Sequence, residues 1–495
     1  MKATAMKKTL VALLAIIFIV TATACSSGAA NRNGSEIESG GGQGSGGQGS
    51  RNESEGTSGT ATEGQAGEKT PEGEALGGPS TTEKKTVVFS TFFPSDFFKE
   101  AKKRYEAQHP NITIELKSIE TNDAQLEENL EKFVKTTNTA MLSGKGPDLI
   151  EMDQLPSGDY VKKHLLANMG DLIAQDTTFN KEHYFTNVLD GMQDNGGLYG
   201  MPMGFFIFAL IGNETFIEKS GVKIDDSNWD WSQFASTAKE LVKNADQEHQ
   251  YALGRGLPEY MVSQLVNDQF STYIDLASGK AKFESEAFMG LLKEVKSLFD
   301  EKVIRQDAGL PIFYDTQINS PADYIREMKA SEFMPDNRAY KSKLYLKPHA
   351  SGQQAGGFFR TYQTVGLNEK SAVKAEAWDF LKFMLSDEMQ DLSHGAGFPL
   401  NKRSYEKTSQ DLLNKGKVES IQPIGPMKGQ VFDITQQDLN DLEKFINEAV
   451  YPVQFKPSKI DDILHEESPA YFSGQKSADD VAKLIQNRVT TVLNE

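Results

Sequence analysis

The stretch Gly196–Asn213, GGLYGMPMGFFIFALIGN, decides how this chain is folded. A Gly-Gly turn opens it, and Gly200 and Pro202 make a regular helix unfavourable in its first half. From Phe205 to Ile211 it is continuously apolar, and Gly212 ends the run. An apolar run of that length between turn signals fits a strand buried on both faces, and periodicity alone fits a buried helix as well. Glycine beside aromatic residues at the mouth of such a strand marks a close approach of backbone to something else. Two readings stand side by side: plain core packing, or a strand whose first corner meets a ligand.

Upstream of this stretch the pattern alternates between strand and helix. Thr86–Ser90 (TVVFS) reads as a short buried strand and Thr91-Phe92-Phe93-Pro94-Ser95 as a loop. Ser95 or Asp96 can cap a helix whose apolar face is Phe97, Ala101 and Tyr105. Ile112, Ile114 and Leu116 alternate as a second strand. A longer helix follows with Leu126, Leu130, Phe133, Val134 and Met141 on one side, and Asp148–Met152 is a third strand. Strand, helix, strand, helix, strand is the signature of a parallel α/β layer.

Downstream, Tyr251–Leu253 reads as a strand and Met261–Val303 as mainly helical. Residues 305–355 read as irregular. Tyr362–Asn368 is a strand, and Ala375, Trp378, Leu381, Leu385 and Leu392 mark the face of the next helix. Helices around Gln437–Val450 and over the C-terminus complete the chain, the last one opened by Ser477 with Asp479 and Asp480 in its first turn.

The chain has 495 residues, enough for two or three domains, and a formal charge of -18. That charge repels phosphate backbones and argues against nucleic acid as a partner. The single cysteine, Cys25, follows Lys7-Lys8, an apolar run from Leu10 to Val20 and the small residues Thr21–Ala24. This is a secretory leader, too short to favour a stable membrane span. Its small-small-Cys ending resembles the bacterial lipoprotein signal, with residues 1–24 as signal peptide and Cys25 receiving the lipid; an ordinary secretory signal with an incidental cysteine is the alternative. Residues 25–83 carry almost no apolar side chains and are expected to be a disordered Gly/Ser/Glu-rich tether. Gly44–Gly49 matches a dinucleotide fingerprint only literally, since no strand precedes it and no helix follows.

Several separated segments resemble one family, the extracellular solute-binding proteins of bacterial ABC importers, maltose-type receptors among them. They are Tyr105–Ile112 (YEAQHPNI), Gly144–Ile150 (GKGPDLI), Leu198–Pro202 (LYGMP), Asn213–Phe216 (NETF), Trp229-Asp230-Trp231, Ala377–Phe383 (AWDFLKF), Gly397–Asn401 (GFPLN) and Ala478–Val489. The resemblance implies a periplasmic-binding-protein-like α/β fold with two discontinuous lobes, residues 84–205 plus 358–398 and 206–357 plus 399–495. A hinge would join them around a ligand cleft. It implies a non-enzymatic receptor, a monomer without a cofactor, tethered outside the cytoplasmic membrane by lipidated Cys25. That receptor would deliver a small solute, a carbohydrate first of all, to an ABC permease. A sensor for a membrane signalling protein and a secreted carbohydrate-active enzyme are the alternatives. Where many members show Y-Y-N, this chain has Leu210-Ile211-Gly212-Asn213, and 305–355 lacks the usual G-x-x-A-M segment.

Mapped by the resemblance, the ligand loops are Thr91 and Phe92, Asp153 and Gln154, Gly204, Phe205 and Phe206, and Phe358 and Arg360. Asp153 is the expected acceptor for ligand hydroxyls and Arg360 the expected donor. Asp153 capping a turn and Arg360 in a surface ion pair are the plain alternatives. Loss of the Asp153 carboxylate should weaken binding with little effect on stability in the first case and cost stability in the second. Phe205 and Phe206 are expected to split between core and cleft, as strand neighbours do. Trp229 and Trp231 are expected to be structural and Trp378 to be core. The seven histidines show no metal-ligand spacing, and no nucleophile motif or fixed carboxylate pair argues for catalysis.

Overall fold

The computed structural model is described for residues 82–244, 251–254, 256–275, 278–305, 310–335, 338–350, 352–392, 397–453 and 459–494. The leader, Cys25 and the tether up to residue 81 lie outside these, and so do the expectations placed on them.

Eleven strands among the described residues form one sheet. Its first three are β1 (Lys85–Ser90), β2 (Ile112–Lys117) and β3 (Leu149–Glu151), and β1 lies parallel between the other two. The helices Asp96–Gln108 and Leu126–Leu142 make the crossovers, the first capped by Ser95, whose Oγ accepts the Phe98 N–H at 3.2 Å. The long strand β4 (Met201–Asn213) is the one identified from the apolar run, begun four residues earlier. Then come β5 (Leu253–Gly254), β6 (Ile304–Arg305), β7 (Phe313–Ile318), β8 (Ser342–Tyr345), β9 (Gly357–Leu367), β10 (Phe398–Pro399) and β11 (Ala449–Pro452). The main path runs β2-β1-β3-β9-β4-β7-β5-β6, with β8 and β10 also on β4 and β11 on β9.

β4 has four partners because its two ends belong to different halves of the sheet. Met201–Phe208 pairs with β9 and Gly204-Phe205 with β10; Ile207–Gly212 pairs with β7 and Leu210–Asn213 with β8. β4 is paired on both edges and buried on both faces, and a strand so placed requires a nearly unbroken apolar sequence. Its side chains still alternate. Phe205, Ile207, Ala209 and Ile211 enter one core with Phe89, Phe98, Tyr105 and Trp378, whereas Leu210 enters a second with Trp229, Phe234, Phe288 and Val489. A third, smaller cluster gathers Phe92, Phe133, Ile150, Met152 and Tyr160.

Residues 305–355 are more regular than the sequence reading expected. They hold β7, β8 and the helix Pro321–Lys329, which Ser320 caps by accepting the Asp323 N–H at 3.1 Å. The strand expected at Tyr251–Leu253 falls at Leu253–Gly254. Leu392, assigned to an apolar helix face, is 43% exposed because that helix ends at Met384.

The return of the chain to β4 is tight. Gly397 has φ 98°, and a Cβ there would stand 2.6 Å from the Phe205 carbonyl oxygen. Both the left-handed backbone and the approach to rigid β4 require glycine. Gly397→Ala is expected to cost at least about 2 kcal/mol in denaturant unfolding; an unchanged midpoint would show that β10 can leave β4 freely.

Candidate functional site

Parallel β1 and β3 end side by side, and the crevice beyond the carboxyl ends of such strands is where α/β folds place ligands. After β1 the chain turns through Thr91-Phe92-Phe93, and after β3 through Met152-Asp153-Gln154. Antiparallel β9 passes beside β3, with Val365 opposite Glu151. Thr91 is fully buried and its hydroxyl donates to Glu151 Oε2.

Asp153 is held by β9. Its Oδ2 accepts the Gln363 N–H at 2.8 Å and its Oδ1 the Thr364 N–H at 3.0 Å. Two successive N–H groups converge on one carboxylate because Gln363 has φ 50°, a left-handed conformation rare for a residue with a Cβ. The ladder with β4 passes over this position: Tyr362 faces Gly204 and Thr364 faces Pro202.

Arg360 lies opposite Phe206, and Tyr362 opposite Gly204, so their side chains share a face of the sheet. The guanidinium carbon is 5.3 Å from the centre of the Phe206 ring, and the Phe206 and Tyr362 rings are 5.7 Å apart at 59°. Burial lowers the Arg360 pKa while the charge of Asp153 opposes the change, and a guanidinium remains a cation regardless. Burial raises the Tyr362 hydroxyl, with Glu151 and Asp153 adding to it, so the phenol is a neutral donor. The cluster thus offers a planar cation, a phenol and an aromatic face beside two carboxylates.

The chosen residues do not all reach this face. Phe205 turns into the first core against Phe185 and Phe398, at 5.3 and 5.6 Å, while Phe206 takes the opposite face. Phe92 is 1% exposed and packs on Phe133 at 5.5 Å; the ring presented to solvent there is Phe93, 48% exposed. Phe358 is 1% exposed, beside Tyr451 and Lys347. Gln154 is half-buried, and Gly204 is buried between Tyr362 and Pro399. Trp229 and Trp231 are both buried, and Trp229 Nε1 donates to the Leu346 carbonyl at 3.0 Å.

Glu151 was missed by the sequence reading, because a carboxylate closing the apolar strand Leu149-Ile150-Glu151 looks like its edge. Its pKa is pushed up to about 7 by burial and then by the Asp153 charge, against hydrogen bonds from Thr91 and the Phe93 and Phe92 backbone. The folded state therefore binds this proton more tightly than the unfolded chain. Its stabilising contribution is complete below the ordinary pKa of 4.5 and is lost as pH rises through about 7. The loss is on the order of 3 kcal/mol. In Glu151→Gln, thermal unfolding relative to the wild type should therefore improve from pH 5 to pH 8; a constant difference would contradict it. The comparison with the wild type matters because half-buried Glu327 is also raised to about 7, by desolvation and by Asp323.

Residues 94–391 match the family model described as bacterial extracellular solute-binding protein. The chain is 20% identical over 383 residues to a putative binding protein of Brucella abortus, covering 74% of this chain and 90% of that one. It is 26% identical over 145 residues to the lactose-binding protein of Rhizobium radiobacter, 29% of this chain and 32% of that one. Among solved structures, the sugar-binding protein MalE from Xanthomonas citri superposes with a TM-score of 0.55 at 16% identity, covering 83% of this chain and 98% of that chain. The fold is periplasmic-binding-protein-like, and with more than half its length matched, the chain belongs to the bacterial extracellular solute-binding proteins.

Proposed function

We propose that this chain is the solute receptor of an ABC importer and that its solute is a saccharide. The observation that carries this reading is the shared face of Arg360, Phe206 and Tyr362 beside Asp153 and Glu151. A sugar ring has an apolar C–H side and a rim of hydroxyls. An aromatic face covers the first, and guanidinium, phenol and carboxylate groups pair with the second. The local similarity to a lactose-binding protein supports the same class.

In this reading the lobes are residues 84–205 plus 358–398 and 206–357 plus 399–495, and β4 and β9 pass between them. The solute is held in the cleft without being transformed, and the closed receptor is recognised by the permease. Cys25 carries the lipid that keeps the protein at the outer face of the membrane. Phe93 joins the proposed contacts in place of Phe92, and Thr91 acts by positioning Glu151.

Thermal-shift screening of the mature protein against saccharides, oligopeptides and polyamines tests the assignment. A ligand at about a hundred times its dissociation constant stabilises the protein by about 2.7 kcal/mol. Saccharides should shift the transition, and Arg360→Ala should abolish the shift. A response to peptides or polyamines alone overturns the saccharide assignment, and an undiminished response in Arg360→Ala overturns the site.

A further inference from the structure

A cavity of about 360 Å³ shares no residue with the cluster at Arg360. It opens where the last turn of helix Asp96–Gln108 meets the 176–184 loop and helix Lys374–Met384. Its walls are aromatic pairs, of which Phe179 and His109 are half-buried and Tyr105 and Tyr184 are buried. Phe179 and Tyr184 stack at 4.9 Å and 13°, and Tyr105 and His109 at 4.2 Å and 21°.

The polar groups between those walls include both donors and acceptors. Tyr105 Oη donates to Asp379 Oδ2 at 2.8 Å, leaving the other carboxylate oxygen to face Lys382 at 3.4 Å. Lys382 Nζ is 2.7 Å from Asp176 Oδ2, which also accepts the Trp378 indole N–H at 2.9 Å. Burial would raise the Asp176 carboxyl, but hydrogen bonds from Lys382, Thr178 and Trp378 outweigh it and hold the group well below the usual range. Asp176 and Lys382 therefore neutralise each other. Ser386 Oγ, on the cavity wall, is buried without a hydrogen-bond partner among the described residues.

This chemistry excludes three ligand classes and favours a fourth. An anion would meet Asp379, and a cation would have to displace the Lys382 ammonium, which already occupies the carboxylates of Asp176 and Asp379. A wholly apolar ligand would strip water from the Asp379–Lys382 pair and leave Ser386 Oγ unpartnered. A neutral ring with hydroxyls on its rim meets the half-buried rings of Phe179 and His109 with its C–H surface and donors and acceptors at its edge. The volume lies at the small end of the range for ligand pockets, enough for one such ring. We propose that this cavity is a second, shallow binding site for a single neutral pyranose ring, outside the cleft and independent of the solute held there.

Saturation-transfer NMR tests this with methyl α-glucopyranoside, methyl β-galactopyranoside and methyl α-mannopyranoside as probes. The full chain carrying Arg360→Ala is used, so that the cleft is disabled. At least one probe should still receive saturation. Adding Phe179→Ala should weaken its affinity about tenfold, the loss of one aromatic contact. Ser386→Ala, which removes the unpartnered hydroxyl and no bond of the fold, should weaken it severalfold if Phe179→Ala proves unstable. Saturation in Arg360→Ala that neither change reduces places the ring elsewhere and overturns the proposal, as does the absence of saturation in Arg360→Ala. The cleft assignment is read separately, from the loss of the thermal shift in Arg360→Ala, and can fail without affecting this result.

Discussion

Asp153→Ala is expected to destabilise the unliganded protein by about 3 kcal/mol. Both carboxylate oxygens already accept backbone N–H groups, from Gln363 and Thr364, residues that are 5% and 8% exposed. Alanine would leave two N–H groups in a place water reaches poorly, and each such loss costs about 1–3 kcal/mol. It would also remove what holds Gln363 at φ 50°, a conformation that costs about 1 kcal/mol or more for a residue with a side chain. Asp153→Asn keeps one acceptor but turns an amide toward the second N–H, so it should fall between alanine and the wild type. Urea unfolding of the three proteins measures this. A loss under about 0.5 kcal/mol for alanine, the ordinary range for a surface change, would show that β9 keeps its kink unaided.

This expectation reverses one of the two readings open from the sequence, in which Asp153 faced only ligand and its removal left stability unchanged. A carboxylate in a two-donor cradle still has lone pairs for a hydroxyl. The same residue can therefore fix the backbone between Arg360 and Thr364 and accept from a ligand. Binding and stability should then fall together in Asp153→Ala, while Arg360→Ala, whose guanidinium lies over the Phe206 ring, should lose binding with a smaller loss of stability.

What the sequence made legible is what burial writes into periodicity. The apolar run of β4 was readable because burial on both faces leaves little place for a polar side chain, and the alternation separating Phe205 from Phe206 follows from strand geometry. The helices Gln436–Glu448 and Ala478–Asn494 were readable from their 3.6-residue stripes. β7 was not: only its end residues, Phe313 and Ile318, are fully buried, and the four between are partly covered, so neither alternation nor an apolar run appears. Ser320-Pro321, a cap followed by proline in the first turn, did announce the helix after it and could have been used. At the site the limit was different. Choosing between Phe92 and Phe93 needs the direction in which the loop leaves β1, which no pattern in Thr91–Ser95 encodes. Glu151 gains its role only from Asp153 and Thr91, which a folded sheet brings to it.

The largest single loss of stability is expected at an ion pair that neither pattern nor motif marks. Lys347 Nζ lies 2.9 Å from Asp268 Oδ2, and the two side chains are 3% and 2% exposed. Asp268 Oδ1 has no partner among the described residues, and the ammonium sits 5.0 Å from the centre of the Phe358 ring. Lys347→Met would leave a buried carboxylate uncompensated and should cost about 3–5 kcal/mol, whereas the double change with Asp268→Leu should recover most of that. A cost below about 1 kcal/mol for Lys347→Met, as for an exposed pair, would refute the burial of the pair. Phe358 stands two residues from Arg360 and faces Phe208, on the face that carries the proposed ligand contacts. Hydrophobic replacements of similar volume satisfy a core without fixing the direction of a neighbouring ring as a charge above it does. The double variant should therefore fold almost as stably as the wild type yet bind the saccharide more weakly; equal affinity in a stable double variant would confine the pair to a structural role.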